Sequence, residues 1–128
     1  MQKLLIDTDI LIDIANNDNT AKKRLTQESQ QYQLNISSIT EMELIVGCRN
    51  KIELQHLNQF LSQLHRLHLN EIISKTAIQL IQTYNLSHNL LIPDALIAAT
   101  AISENIALLS KNQKDYRFIS NLNLLNYP

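Results

Sequence analysis

Glycine is scarce: among 128 residues only Gly47 is one. Loops that cradle nucleotide phosphates need several glycines close together, so most NTPase and dinucleotide-enzyme classes are excluded. Cysteine is equally scarce. Cys48 alone cannot form an internal disulfide, and the apolar stretch Ile45-Val46-Gly47-Cys48 predicts a buried thiol in a reducing, cytoplasmic setting. Charge is also thin. With 18% charged residues and a net charge of -1, the chain has no acidic tail, no solvating disordered segment and no strongly basic arm. Any contact with nucleic acid must therefore be local. Long apolar runs are missing too: Leu4-Leu5-Ile6 is too short for a signal peptide, and nothing approaches the ~20 residues of a membrane span, so a soluble protein is expected.

What the sequence does have is a 45% hydrophobic fraction, enough for one core, and one domain over residues 1–128 is expected. Strand and helix patterns alternate along it. The run Lys3 to Ile6 predicts a strand stopped by Asp7-Thr8-Asp9. Ile10, Leu11, Ile14 and Ala15 then recur at helical spacing until the polar cluster Asn16 to Asn19. Thr20 to Gln30 is polar and helix-tolerant, and Gln33 to Ile36 is a second strand. Thr40 followed by Glu43 opens an apolar helix in the capping-box pattern, ending near Gly47. An amphipathic helix over Ile52 to Leu64, a short strand at Leu67 to Leu69 and a helix over Ile72 to Tyr84 follow. Pro93 stands where a first helical residue would, ahead of Asp94 to Ala101. Strands at Ile106 to Leu109 and around Leu122 to Leu125 close the chain. Strands separated by helices need crossover connections, which predicts a three-layer α/β/α sandwich with a mostly parallel central sheet.

In such a sheet the ligand site lies beyond the carboxyl ends of the strands. Asp7 directly follows the first strand, Glu43 lies a helical turn past the second, Asp94 is in the first turn after Pro93, and Asp115 follows the strand ending near Leu109. Each acid also has a local reading. Glu43 can be the partner of Thr40 in a capping box, Asp94 an acid favoured by a helix dipole, Asp115 the acid three residues after an Asn112 cap, and Asp7 or Asp9 the cap of the first helix. Of these, Asp9 is the one most readily left to capping. Jointly, four carboxylates at one edge repel one another unless a cation neutralises them. Oxygen-only ligands favour Mg²⁺ or Mn²⁺ over zinc, and His56, His65, His68 and His88 add no imidazole to the set. Such ions support phosphodiester hydrolysis by activating water and stabilising the leaving oxygen.

Thr8, Ser38 and Asn112 are short polar residues beside these acids, able to orient ligands or a scissile phosphate and equally ordinary as caps or turns. Phosphate contacts are expected from Lys111, Lys114 and Arg117, whereas Lys22-Lys23-Arg24 reads as a solvated helix face.

Four segments together resemble the successive motifs of the PIN-domain family: Leu4 to Asp9, Ile39 to Leu44, Pro93 to Ala101 and Ser110 to Tyr116. The likeness runs from about Lys3 to Tyr127 and is nearest to the VapC-type toxins of bacterial toxin–antitoxin pairs. It implies Mg²⁺ or Mn²⁺ bound by Asp7, Glu43 and Asp94 with Asp115 completing the site, and an RNA substrate such as transfer or ribosomal RNA. It further implies a homodimer and a VapB-like antitoxin whose C-terminal segment packs over the toxin's helices. Ile10, Leu11, Ile12 and Ile14, with Leu44, Ile45 and Val46, exceed what one core-facing stripe requires and offer that partner a surface; simple burial of both helices is the other reading. The departures are Asp9, where the family more often has Asn or Ser, Ser110 for Thr, and Tyr116 for Phe.

Three rival readings remain at this stage. Asp7-Thr8-Asp9 with Lys111 superficially resembles haloacid-dehalogenase phosphatases, but no acidic pair follows Lys111. A receiver domain needs an Asp after the third strand, and Leu67 to Glu71 supplies none. A PIN fold serving only as an RNA-binding module is expected to lose a site acid, and all four are present.

Overall fold

The computed structural model describes every residue, Met1–Pro128. Four parallel strands form its sheet: β1 (Gln2–Ile6), β2 (Tyr32–Ser37), β3 (His65–Leu67) and β4 (Ala107–Leu109), in the spatial order β3-β2-β1-β4. Six helices connect and cover them: α1 (Thr8–Ala15), α2 (Asn19–Ser29), α3 (Ser38–Val46), α4 (Lys51–Leu61), α5 (Glu71–His88) and α6 (Ile92–Glu104). A short 3₁₀ turn, Gln113–Asp115, follows β4. This is the parallel α/β architecture expected from the alternating pattern.

The strand at the centre, β1, is covered on both faces, which is why Leu4-Leu5-Ile6 is a continuous apolar run with no polar alternation. Successive side chains still go to opposite sides. Leu5 and Leu108 join a core with Ile73, Leu80, Ala98 and Ile119, under α5 and α6. Leu4, Ile6, Ala107 and Leu109 join a second core with Ile10, Leu11, Leu25 and Leu61, under α1, α2 and α4. Burying one such leucine side chain stabilises the fold by about 1.5–3 kcal/mol. The alanines at 95, 98, 99 and 101 are all buried, so α6 lies close against its neighbours.

Asparagine and aspartate punctuate the chain in place of glycine. Asp18, Asn50 and Asn70 cap α2, α4 and α5 by accepting from the backbone N–H groups of Ala21, Glu53 and Ile73. Asn89 and Asn105, at φ 56° and 54°, end α5 and α6 in the left-handed region.

Several expectations need correction. The capping box at Thr40 and Glu43 does not form, because Ser37 at the end of β2 takes the cap one turn earlier by accepting from Ile39 N–H. The third strand lies at His65–Leu67, with Leu67 as its last residue. Leu122 to Leu125 makes a single parallel bridge, Leu108 to Leu124, and no strand of its own. Ile52 is exposed and belongs to no apolar face. Cys48 is half-buried, its thiol donating to the Leu44 carbonyl at 3.5 Å one helical turn back. No helix is long and apolar enough to cross a membrane.

Candidate functional site

The register of the sheet creates the site. Pairing of Ile6 with Leu109 brings the ends of β1 and β4 side by side, and Asp7 N–H continues the ladder by donating to the Leu109 carbonyl at 2.9 Å. Asp7 and Ser110 therefore become neighbours although 103 residues separate them, and the Ser110 hydroxyl donates to Asp7 Oδ2 at 2.8 Å. Asp7 Oδ1 accepts from Thr8 N–H at 2.8 Å, so Asp7 is also the N-cap of α1. Asp7 is buried, only 5% of the residue being exposed. Burial, followed by the negative charge of Asp9, raises its pKa to about 7.

Asp9 is therefore not the cap that its position suggested. It sits in the first turn of α1 and reaches across to the loop after β4, where Oδ2 accepts from Asn112 N–H at 2.9 Å and lies 3.2 Å from the Ser110 hydroxyl. Its other oxygen, Oδ1, is buried with no partner at all. Burial raises its pKa against the backbone hydrogen bonds of Lys111, Asn112 and Ile10. The contribution of Asn112 comes from its backbone, not from the amide side chain that the sequence had pointed to.

Glu43 approaches from α3. The Thr8 hydroxyl donates to Glu43 Oε1 at 2.7 Å and shares a 2.9 Å hydrogen bond with the buried Thr40 hydroxyl, which ties α1 to α3. Replacing Thr8 by Val strands the Thr40 hydroxyl and frees Glu43. The variant is expected to lose about 1–3 kcal/mol in urea unfolding, whereas an unchanged midpoint would show that this network holds nothing together.

Asp94 completes the approach from the first turn of α6, behind Pro93. Tyr116, buried just past the 3₁₀ turn, donates its hydroxyl to Asp94 Oδ1 at 3.2 Å. The Asp94 pKa is raised by burial; Tyr116 opposes this, and the charges of Asp115, Glu43 and Asp9 add to it. Asp115 itself is exposed, at the end of the 3₁₀ turn. Acids from four separate segments thus converge on one sheet edge and feel one another's charge.

No three of them are drawn together in ready-made ligand geometry. Each instead turns to a protein donor where it has one: Asp7 to Ser110, Glu43 to Thr8 and Asp94 to Tyr116. The donor set still suits a hard divalent cation. It offers carboxylate oxygens alone, its buried members carry raised pKa values, and Asp9 Oδ1 is a buried acceptor with nothing to accept from.

Other expected residues fall outside this group. Ser38 shares a 3.1 Å hydrogen bond with His68 Nδ1 beyond β3. Lys111 is paired with Asp13 Oδ2 at 2.9 Å, while Lys114 and Arg117 are exposed and unclaimed by an ion pair. Arg24 is not a free member of a solvated face, because it pairs with Glu28 and donates to the Asn126 carbonyl. Thr40 and Ser110 were missed as site partners. Ser110 had a readable signal, since it is the first residue after a strand that runs beside β1.

Known proteins share this fold. A sequence profile described as PIN domain matches residues 4–120. The chain belongs to the PIN-domain family. Among solved structures, this PIN domain superposes on a chain of a toxin–antitoxin complex from Klebsiella pneumoniae with TM-score 0.81 and 31% identity, covering 97% of each chain. It superposes on a chain of VapBC2 from Rickettsia felis, bound to a promoter DNA fragment, with TM-score 0.83 and 27% identity, covering 99% of this chain and 100% of that one. A chain of DNA-bound VapBC from Salmonella typhimurium shares the fold at TM-score 0.80 and 23% identity, with 98% of each covered. A search of curated proteins returned no match. The likeness to VapC-type toxins drawn from the motifs is thus shown: the neighbours are chains of a toxin–antitoxin complex and of VapBC complexes.

Proposed function

We propose that this PIN domain is a Mg²⁺- or Mn²⁺-dependent endoribonuclease acting as the toxin of a toxin–antitoxin pair. The observation that carries this reading is the convergence of Asp7, Glu43, Asp94 and Asp115 on one sheet edge, with Asp7 buried and its pKa raised to about 7. Asp7, Glu43 and Asp94 would hold the cation, and Asp115 would complete the site from its open side. A bound cation of this kind supplies a Lewis acid for the phosphodiester and acidifies a water to serve as nucleophile.

The chain's own residues do the rest. Ser110 and Thr8 N–H fix the two oxygens of Asp7, and Thr8 and Tyr116 orient Glu43 and Asp94. Lys114 and Arg117, exposed beside Asp115, are placed to meet the phosphates of an RNA strand, whereas Lys111 does so only by leaving Asp13. Incubating the protein, freed of any partner, with end-labelled transfer RNA tests the reading. Discrete cuts with Mg²⁺ or Mn²⁺ that EDTA abolishes are expected; intact RNA from folded protein under both metals would overturn it in favour of a binding module.

The partner half of the proposal rests on a groove of about 680 Å³ between α1, α3 and α4, whose walls include Leu11, Ile12, Leu44, Leu57 and Phe60. Of the two readings of the surplus apolar residues, burial accounts for Ile10 and Leu11, while Ile12 and Val46 are left 46% and 84% exposed. The neighbours belong to complexes with antitoxins, and an apolar segment of such a partner fits this groove. Ile12→Asp is expected to weaken partner binding at least about 30-fold and leave RNA cleavage unchanged. Titration of the variant with its antitoxin checks this, and undiminished affinity would place the partner elsewhere. A homodimer is proposed on the family resemblance alone.

A further inference from the structure

We infer that Tyr116 is a positioning residue for the acidic site, its hydroxyl setting the orientation of the Asp94 carboxylate and so the seat that a divalent cation finds. The inference rests on the metal reading above and adds a residue at a position where the family commonly has Phe.

Tyr116 is only 1% exposed and is among the largest fully buried side chains. Its ring is part of the core that includes Ala95, Ala98 and Ile119, and that packing role is one a phenylalanine fills equally well. The hydroxyl is what packing does not explain. A phenol is costly to bury without a partner, and this one donates to Asp94 Oδ1 at 3.2 Å, with the charge of Asp7 close enough to act on it. The donor comes from a platform pinned in the core. Asp94, by contrast, is half-buried in the first turn of α6, with the Tyr116 hydroxyl as the donor its side chain has found. Holding one carboxylate oxygen leaves the other free for a cation in a fixed direction. Without the hydroxyl, Asp94 samples more rotamers and must be ordered by the cation itself.

The test is calorimetric titration of the metal-free, partner-free full chain with Mn²⁺ alone, on wild type, Tyr116→Phe and Ile119→Val, together with their metal-free melting temperatures. Tyr116→Phe keeps the ring and is expected to bind Mn²⁺ about tenfold more weakly, the loss usual when a ligand forfeits its outer hydrogen bond. Ile119→Val thins the same packing without touching a carboxylate, and is expected to lower the melting temperature at unchanged affinity. Equal affinities of Tyr116→Phe and wild type would overturn the inference while leaving the metal reading intact. Equal weakening by Ile119→Val would overturn it too, by making the effect one of packing. A wild type that binds no Mn²⁺ would overturn the metal reading, and this inference with it.

Discussion

Asp7→Asn is expected to cut RNA at least about 10³-fold more slowly than wild type under saturating Mg²⁺ or Mn²⁺, with its fold intact. The substitution is isosteric. The amide oxygen can still accept from Thr8 N–H, and the Ser110 hydroxyl, free to rotate, can accept from the amide nitrogen. What is lost is one negative charge at the most buried of the site's acids, where a low local dielectric makes its pull on a cation strongest. Initial rates on end-labelled RNA, read beside circular dichroism, check this. A folded variant that keeps wild-type rates would remove Asp7 from the chemistry and leave it as the cap of α1.

Metal-free wild type should lose on the order of 4 kcal/mol of stability as pH rises from about 4 to about 7. In the folded chain the Asp7 pKa is about 7, against an ordinary 3.8, so between those values the folded state binds more protons than the unfolded one. Stability is then highest below the lower value and falls until pH passes the upper one. This is opposite in sign to the familiar carboxylate held down by a salt bridge. Asp9 and Asp94, whose pKa values are also raised, act in the same direction. Urea unfolding across that window is expected to show the decline, Asp7→Asn to flatten it, and added Mg²⁺ to restore stability at neutral pH. A flat wild-type profile would mean that water or a neighbour relieves Asp7.

The sequence showed the fold class because burial on both faces leaves a mark: a run such as Leu4-Leu5-Ile6 reads as a central parallel strand, and an alanine-rich segment behind Pro93 reads as a buried helix. Asp7, Glu43, Asp94 and Asp115 were visible as residues just past strands or in first helical turns, so their approach to one edge followed from topology. Their partners were not visible. Ser110 meets Asp7 only because β4 lies beside β1, and Thr40 meets Thr8 only because α3 packs on α1. Local chemistry also misled. Thr40 and Glu43 have the spacing of a capping box, yet Ser37, still in the strand, had already capped the helix. Asp9 has the look of a cap and reaches instead across 103 residues to Asn112.

The pairing of β1 with β4 joins residues 4–6 to residues 107–109, 103 positions further along. On a ribosome, where the chain emerges from its N-terminus, β1, β2 and β3 can associate early while the edge of β1 that β4 will occupy stays open. Asp7 then has neither the Leu109 carbonyl nor the Ser110 hydroxyl, and Asp9 has no Asn112 to hold. The acidic edge is therefore assembled only once β4 and the loop after it are free to dock beside β1. The groove between α1, α3 and α4, made of elements that end by Leu61, is complete earlier. An apolar segment of a partner would therefore find its seat before the acidic edge is complete.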